Sequence, residues 1–419
     1  MIAVAWIAFW ILIGLSLVSA PLAYGFGRIL RRPQPEPLAD DACPKAAVIL
    51  CLRGVDPFLT TCLQGLLNQD YPRYDVWIVV DHQEDPAWAV VQQVIRETGA
   101  RHVHVRPLRQ RLDTTTLLNS SLIQAVSELD ASYEVMAMVD ADTITPPQWL
   151  RDLVTPLADR RIGATYGNRW CAPLIGRWGS LVRYVWMAGG AAPMHYFEMP
   201  WGGSLAMRLS TVRRAGIVDL WARTRSSDAP LRSALHALGL RLQFVPSLMM
   251  INREECDLGF CLYFMGRQLN SNRLYHPRWL GTLLHALVSA GALAVAVALV
   301  VLGLITGHMD IAVWAGAGVA AYWLTMLACL VWLETSVQSS LQRRGETPAP
   351  LTWGRWLRVA LCIPLAQEIH LLAALIATFQ RRVIWRGVTY HIHGPHDIRL
   401  VHDQATESIS QEADKYSSL

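Results

Sequence analysis

Charge is scarce in this chain. Only 17% of its 419 residues are charged, while 53% are hydrophobic. A wholly soluble protein carries about 25% charged residues, so the composition excludes one. The eight cysteines contain no C-x-x-C pair, and Cys256 and Cys261 read as buried structural thiols rather than metal ligands. No G-x-G-x-x-G follows the first predicted strand, which excludes a dinucleotide dehydrogenase. No G-x-x-x-x-G-K-S/T occurs, which excludes a phosphate-loop nucleotidase. The net charge of +4 is modest. The basic residues cluster beside apolar segments, so they face anionic lipid headgroups and not nucleic acid.

Long apolar segments account for the missing charge. Ile2 to Tyr24 is long enough to cross a bilayer core. Arg28, Arg31 and Arg32 follow it, which places the next domain in the cytoplasm. A cleaved signal would carry its positive charge before the apolar stretch, so a retained anchor is expected. Leu280 to Thr306 and Ile311 to Leu333 predict a helical hairpin with its tip outside. Leu357 to Phe379 holds Pro364, Gln367, Glu368 and His370, with arginines at both ends. That pattern predicts a re-entrant or interfacial helix with both ends cytoplasmic. Glu368 and His370 could bond each other or a headgroup. The resulting division is an anchor at 1–32, a cytoplasmic domain at 44–277, a membrane hairpin at 278–335, a basic loop and interfacial or re-entrant helix at 336–395, and a polar tail at 396–419, disordered after Asp403. Six cysteines precede residue 277, in a compartment where thiols stay reduced.

Between residues 44 and 277 the pattern alternates strand and helix. Strands are predicted at Ala46 to Leu52, Val76 to Val80, His102 to Val105 and Val135 to Val139. Helices are predicted at Phe58 to Leu67, Ala87 to Arg96, Leu117 to Leu129 and Leu231 to Leu238. Such alternation implies an α/β fold with a mostly parallel sheet and covered faces. Ligands in open α/β sheets bind at the carboxyl ends of the strands. Asp81 stands at one such end, and Asp140 and Asp142 at another. A close acidic pair there suits a hard divalent cation shared with phosphate oxygens, although an isolated Asp-x-Asp also reads as a solvated turn. Asp228 alone reads as a helix cap. His195 and Tyr196 lie in an amphipathic stretch that could line a lipid entrance or seat the domain on the membrane.

Four motifs in order give the chain a family likeness. They are Arg53-Gly54-Val55-Asp56-Pro57, Asp70-Tyr71-Pro72-Arg73-Tyr74-Asp75-Val76, Asp81-His82-Gln83-Glu84-Asp85-Pro86-Ala87 and Trp385-Arg386-Gly387-Val388-Thr389-Tyr390. Together, over about residues 1 to 395, the chain resembles the ceramide glucosyltransferase family. The resemblance implies a GT-A fold of Rossmann-like type, a cytoplasmic active site, a UDP-sugar donor, Mg²⁺ or Mn²⁺, a membrane lipid acceptor and inversion at the anomeric carbon. It further implies that Asp81 and Arg53 lie on the nucleotide side, and that Asp140 and Asp142 position metal and diphosphate. Trp201, Gly202 and Gly203 would form the loop beneath donor sugar and acceptor, and Asp228 would be the general base. Arg273, flanked by Arg267 and Gln268, would supply a cation to the diphosphate. The family's Glu-Asp is Ser227-Asp228 here, its Lys is absent near Leu117-Leu118-Asn119, and its (Q/R)-x-x-R-W motif is not intact. A processive polysaccharide synthase and a non-catalytic membrane scaffold are the alternative readings.

Overall fold

A computed structural model describes residues 1–346 and 352–403. The tail expected after Asp403 lies outside the described residues. The chain forms two compact units, one from residues 33–170, 194–252 and 380 onward, the other from residues 1–32, 171–193 and 253–379.

The first unit is built on a seven-stranded sheet. Its strands are β1 (Ala46–Leu52), β2 (Tyr74–Val80), β3 (Val103–Pro107), β4 (Val135–Val139), β5 (Ile162–Cys171), β6 (Ser204–Arg208) and β7 (Arg241–Asn252), in the order β3-β2-β1-β4-β6-β5-β7. β1, β2, β3 and β4 are mutually parallel, and β6 runs antiparallel to both β4 and β5. All five residues of β4 are buried, as are the last five of β2, which is why both read as unbroken apolar runs. Helices Leu59–Leu67, Pro86–Thr98 and Leu117–Glu128 fall within a few residues of expectation. Asp85 caps the second by accepting from the Ala87 N–H, with Pro86 in the first turn. The α/β, mostly parallel architecture read from the sequence is therefore the one observed.

A second, antiparallel sheet follows in the same unit: β8 (Arg382–Trp385), β9 (Val388–Gly394) and β10 (Asp397–Asp403). The β8–β9 hairpin turns through Arg386 and Gly387, at φ 44° and 75°. Two successive positive φ values are the signature of a tight hairpin turn, and glycine takes its share freely.

Among the described residues, the helical unit contains four helices long and apolar enough to cross a membrane: Ile2–Leu30, Trp279–Thr306, Met309–Arg343 and Trp353–Phe379. Small residues bring them together. Ala5, Ala8 and Leu12 of the first pack with Ala292 and Ala296 of the second and Ala315 and Tyr322 of the third. Outward faces carry exposed Ile7, Leu17, Val18, Leu304 and Ile305, as a bilayer solvent requires. The fourth helix runs unbroken for 27 residues through Pro364.

Sheet packing is tight where β5 passes its neighbours. A Cβ on Gly167 would lie 2.4 Å from the Leu248 carbonyl oxygen and 2.8 Å from the Ser204 hydroxyl. Gly167→Ala is therefore expected to destabilise the sheet unit by about 1–3 kcal/mol. Thermal unfolding in detergent checks this, with Gly14→Ala, which has open space around it, as a control that leaves the midpoint in place.

Candidate active site

Because β1, β2 and β4 are parallel, Arg53, Asp81 and Asp140 leave the sheet on one edge. β6 arrives there from the opposite direction, with Ser204 paired to Val139. The preceding turn, Trp201-Gly202-Gly203, is thus delivered to Asp140, whose N–H donates to the Gly203 carbonyl at 3.4 Å. No side chain fits at residue 203. A Cβ would fall 2.2 Å from the Trp201 ring and 2.5 Å from an Asp140 carboxylate oxygen.

Asp140 and Asp142 share one cation. Arg169 of β5 places Nη2 3.3 Å from Asp140 and 3.1 Å from Asp142. Its guanidinium also lies over the Trp201 ring, 4.9 Å from the centroid. Asn252, the last residue of β7, donates to Asp142 Oδ2 at 3.1 Å. Asp140 is the more open of the pair, with 38% of its side chain exposed against 19%. Two carboxylates close enough to share a single guanidinium nitrogen are a hard oxygen donor set that fits a divalent cation. A second acidic cluster, Asp81, His82 and Asp85, brings ligand atoms within 4.8 Å of one another. Its carboxylates are already compensated. Asp81 is paired with Arg53 and, at 2.9 Å, with Arg111, while Asp85 accepts from the Gly54 and Ala87 N–H groups.

Arg53 and Asp81 form a buried pair, each with a side chain only 2% exposed. Arg53 Nε donates to the Arg386 carbonyl at 2.9 Å, and Arg386 Nη1 donates back to the Arg53 carbonyl at 2.6 Å. Arg386 also pairs with Asp56 at 3.3 Å. Two of the sequence motifs, 333 residues apart, are thereby clasped together. The Tyr390 hydroxyl accepts from the Leu117 N–H at 3.1 Å, adding a second tie from β9.

Asp228 does not cap the helix Leu231–His236, which has no side-chain cap. The carboxylate turns instead toward the glycine turn, where Oδ2 accepts from the Gly202 N–H at 2.8 Å. Oδ1 accepts from the Ala229 N–H at 2.6 Å and from the Ser226 hydroxyl. The loop that carries it is anchored from below. Asn119, fully buried, donates to the Trp221 and Thr224 carbonyls at 3.2 and 2.7 Å. The Thr115 hydroxyl meets the same two carbonyls at 2.6 Å each, and Trp221 Nε1 donates to the Ser227 carbonyl. The position where the family's lysine is absent is thus beside an asparagine that fastens the Asp228 loop.

The structure therefore gathers Asp140, Asp142, Trp201, Gly202, Gly203 and Asp228 around one turn, with Arg53 and Asp81 at neighbouring strand ends. Arg267, Gln268 and Arg273 lie on the helix Leu258–Tyr275 of the helical unit. Arg169, Arg111 and Asn252 were missed from sequence. Arg169 lies in the buried strand β5, whose glycines, Thr165 and Asn168 break any apolar run that would have marked the arginine as an exception. His195 packs edge-on against Phe244, 5.5 Å between centroids, so its ring is part of the sheet unit's packing.

Two outcomes follow from these contacts. Arg53→Met leaves Asp81 buried beside Arg111 alone and is expected to cost about 3–5 kcal/mol in unfolding experiments. His195 is held below its ordinary value of 6.5 by burial, with Glu198 opposing. The folded state then binds fewer protons than the unfolded one as pH falls through 6.5, so stability declines on acidification. His195→Gln should flatten that decline between neutral and mildly acidic pH in melting curves.

Known proteins similar to the chain are glycosyltransferases. Residues 8–398 match glycosyl transferase family 21. Ceramide glucosyltransferase of Pyricularia oryzae is 36% identical over 101 residues, covering 23% of this chain and 20% of that protein. Ceramide glucosyltransferase of Komagataella phaffii is 31% identical over 91 residues, covering 20% of this chain and 17% of that one. The matched segment thus spans about a fifth of those relatives. A mannosyltransferase structure from Pyrobaculum calidifontis, in complex with GDP-Man and Mn²⁺, aligns over 89% of this chain and 97% of its own, with 14% identity and a TM-score of 0.49. The match across nearly the whole chain, with the motifs that resemble ceramide glucosyltransferases, shows that it belongs to glycosyl transferase family 21.

Proposed function

We propose that the chain moves a hexose from a UDP-sugar to the hydroxyl of a membrane lipid, of ceramide, hopanoid or diacylglycerol type, with inversion at the anomeric carbon and at the cytoplasmic face. The observation that carries this reading is the short bridge between two acidic sites. Asp228 accepts from Gly202, and the next residue, Gly203, accepts from Asp140. A base carboxylate and a phosphate-side carboxylate are thereby fixed across a two-residue turn that has no Cβ at its closest approach.

The residues divide the work. Asp228 takes the proton from the acceptor hydroxyl as that oxygen attacks the anomeric carbon. Three donors hold the carboxylate in one orientation, so its remaining lone pair is aimed before substrate arrives. Trp201 gives the sugar an apolar wall, and the glycine turn lets it approach the backbone. Asp81, compensated by Arg53 and Arg111, retains acceptor capacity for a nucleotide hydroxyl or N–H. Arg169 offsets part of the charge of the Asp140–Asp142 pair in the free protein and is placed to turn to a phosphate oxygen. Mg²⁺ or Mn²⁺ would be held by Asp140 and Asp142, and when bound it supplies charge neutralisation to the departing diphosphate.

The test is transfer by the full chain in lipid nanodiscs supplied with UDP-glucose, Mn²⁺ and mixed lipids, with products read by mass spectrometry. Asp228→Asn is expected to lower kcat by about 10²–10⁴-fold while UDP still raises the melting temperature. Asp140→Asn is expected to raise the Mn²⁺ concentration needed for that nucleotide effect. Absence of any glycolipid, or full activity of Asp228→Asn, overturns the reading.

A further inference from the structure

Asp228 reaches the glycine turn through the Gly202 N–H, and a second contact ties the same two segments farther out. Glu198, just upstream of that turn, has Oε2 2.6 Å from His236 Nε2. Arg232 Nε lies 3.9 Å from the same oxygen. Arg232 and His236 belong to the helix Leu231–His236, which begins just after Asp228. The Leu231 N–H donates to the Asp228 carbonyl at 3.0 Å, and Leu231 and Leu235 are fully buried. The carboxylate and this helix are therefore one rooted piece. Met199, Pro200 and Trp201 are held against that piece at both ends, by Glu198 on one side and Gly202 on the other.

The backbone at Glu198 bears on what the contact is for. The helix Trp178–Tyr196 ends in a Schellman motif. The Met199 N–H donates to the Met194 carbonyl at 2.8 Å, and the Glu198 N–H donates to the His195 carbonyl at 3.2 Å. Glu198 takes the left-handed position of that motif, at φ 51°. Glycine is the usual occupant there, and a residue with a Cβ is strained. The ion pair offers little stability in return, because the Glu198 and His236 side chains are 25% and 35% exposed. A glutamate at a strained position that adds little stability points to a geometric role at the neighbouring site. The strand register places the glycine turn on Asp140. The outer contact keeps the Asp228 piece on that turn.

We propose that Glu198 and His236 are positioning residues, a clasp that holds Trp201 and the glycine turn at one distance from the Asp228 carboxylate. This rests on the reading of Asp228 as the base, but the clasp can also be measured without turnover. The test compares Glu198→Gly, His236→Ala and Glu198→Gln in the full chain in lipid nanodiscs. Transfer is followed with UDP-glucose, Mn²⁺ and mixed lipids, and hydrogen exchange is followed on the peptide that carries Gly202. Glu198→Gly suits the left-handed backbone, so its melting temperature is expected to hold or rise. Its kcat is nevertheless expected to fall about tenfold, the scale of a sub-ångström misplacement of a reacting group, with KM for UDP-glucose little changed. The Gly202 amide should exchange faster. His236→Ala should reproduce both effects, and the double variant should add nothing to either single one. Glu198→Gln, which keeps an acceptor oxygen for His236, should restore most of the rate and of the protection. A kcat that falls only in step with the melting temperature, additive single variants, a Gln variant as impaired as Gly, or unaltered Gly202 exchange overturns the clasp. Faster Gly202 exchange in both single variants of a chain that transfers no sugar would sustain the clasp and sink the proposed reaction instead.

Discussion

The pairing of Val139 with Ser204 fixes the site more than any other contact. It sets an antiparallel strand beside a parallel one, so the start of β6 meets the end of β4. Gly203 then faces Asp140 with no room for a methyl group. Register in a sheet is all-or-none, since a slip of one residue would turn every side chain over. The buried faces of β4 and β6 forbid that slip. Asp140, the glycine turn and, through Gly202, Asp228 inherit their positions from core packing, and the loop geometry has little left to decide.

Electrostatics divides the acidic residues into two kinds. Asp81 is sealed among arginines, and breaking such a buried pair costs far more than its net contribution to stability. Its first task is therefore to hold the ends of β1 and β2 together. Asp140 and Asp142 are more open and share the Arg169 guanidinium.

Much of this was legible in the sequence, and the limits have physical causes. β1 and β4 were read to the residue because they are buried on both faces and bounded by polar breaks. Asp81, Asp140 and Asp142 were singled out because strand ends in a parallel sheet are where ligands bind, and they do stand at the ends of β2 and β4. Asp228 was singled out only through the family resemblance and by itself read as a helix cap, because its partner, the Gly202 N–H, is 26 residues distant, beyond any local pattern. Arg169 and Asn252 escaped for the same reason, each acting from a late strand on an early one. The Trp385 to Tyr390 motif was recognised, but nothing local revealed that its arginine grips Arg53.

That grip bears on the order in which the protein can be made. Arg53 leaves the ribosome early, while Arg386 follows the last of the long apolar helices. At about 5–20 residues per second, the two are separated by tens of seconds of synthesis. Through that interval the β1 end of the sheet has its Asp81 partner but lacks the turn that covers it. The Arg53–Asp81 corner of the domain is therefore completed only after all four long apolar helices of the described residues have emerged, and a chain truncated within the last of them would carry that corner half-finished.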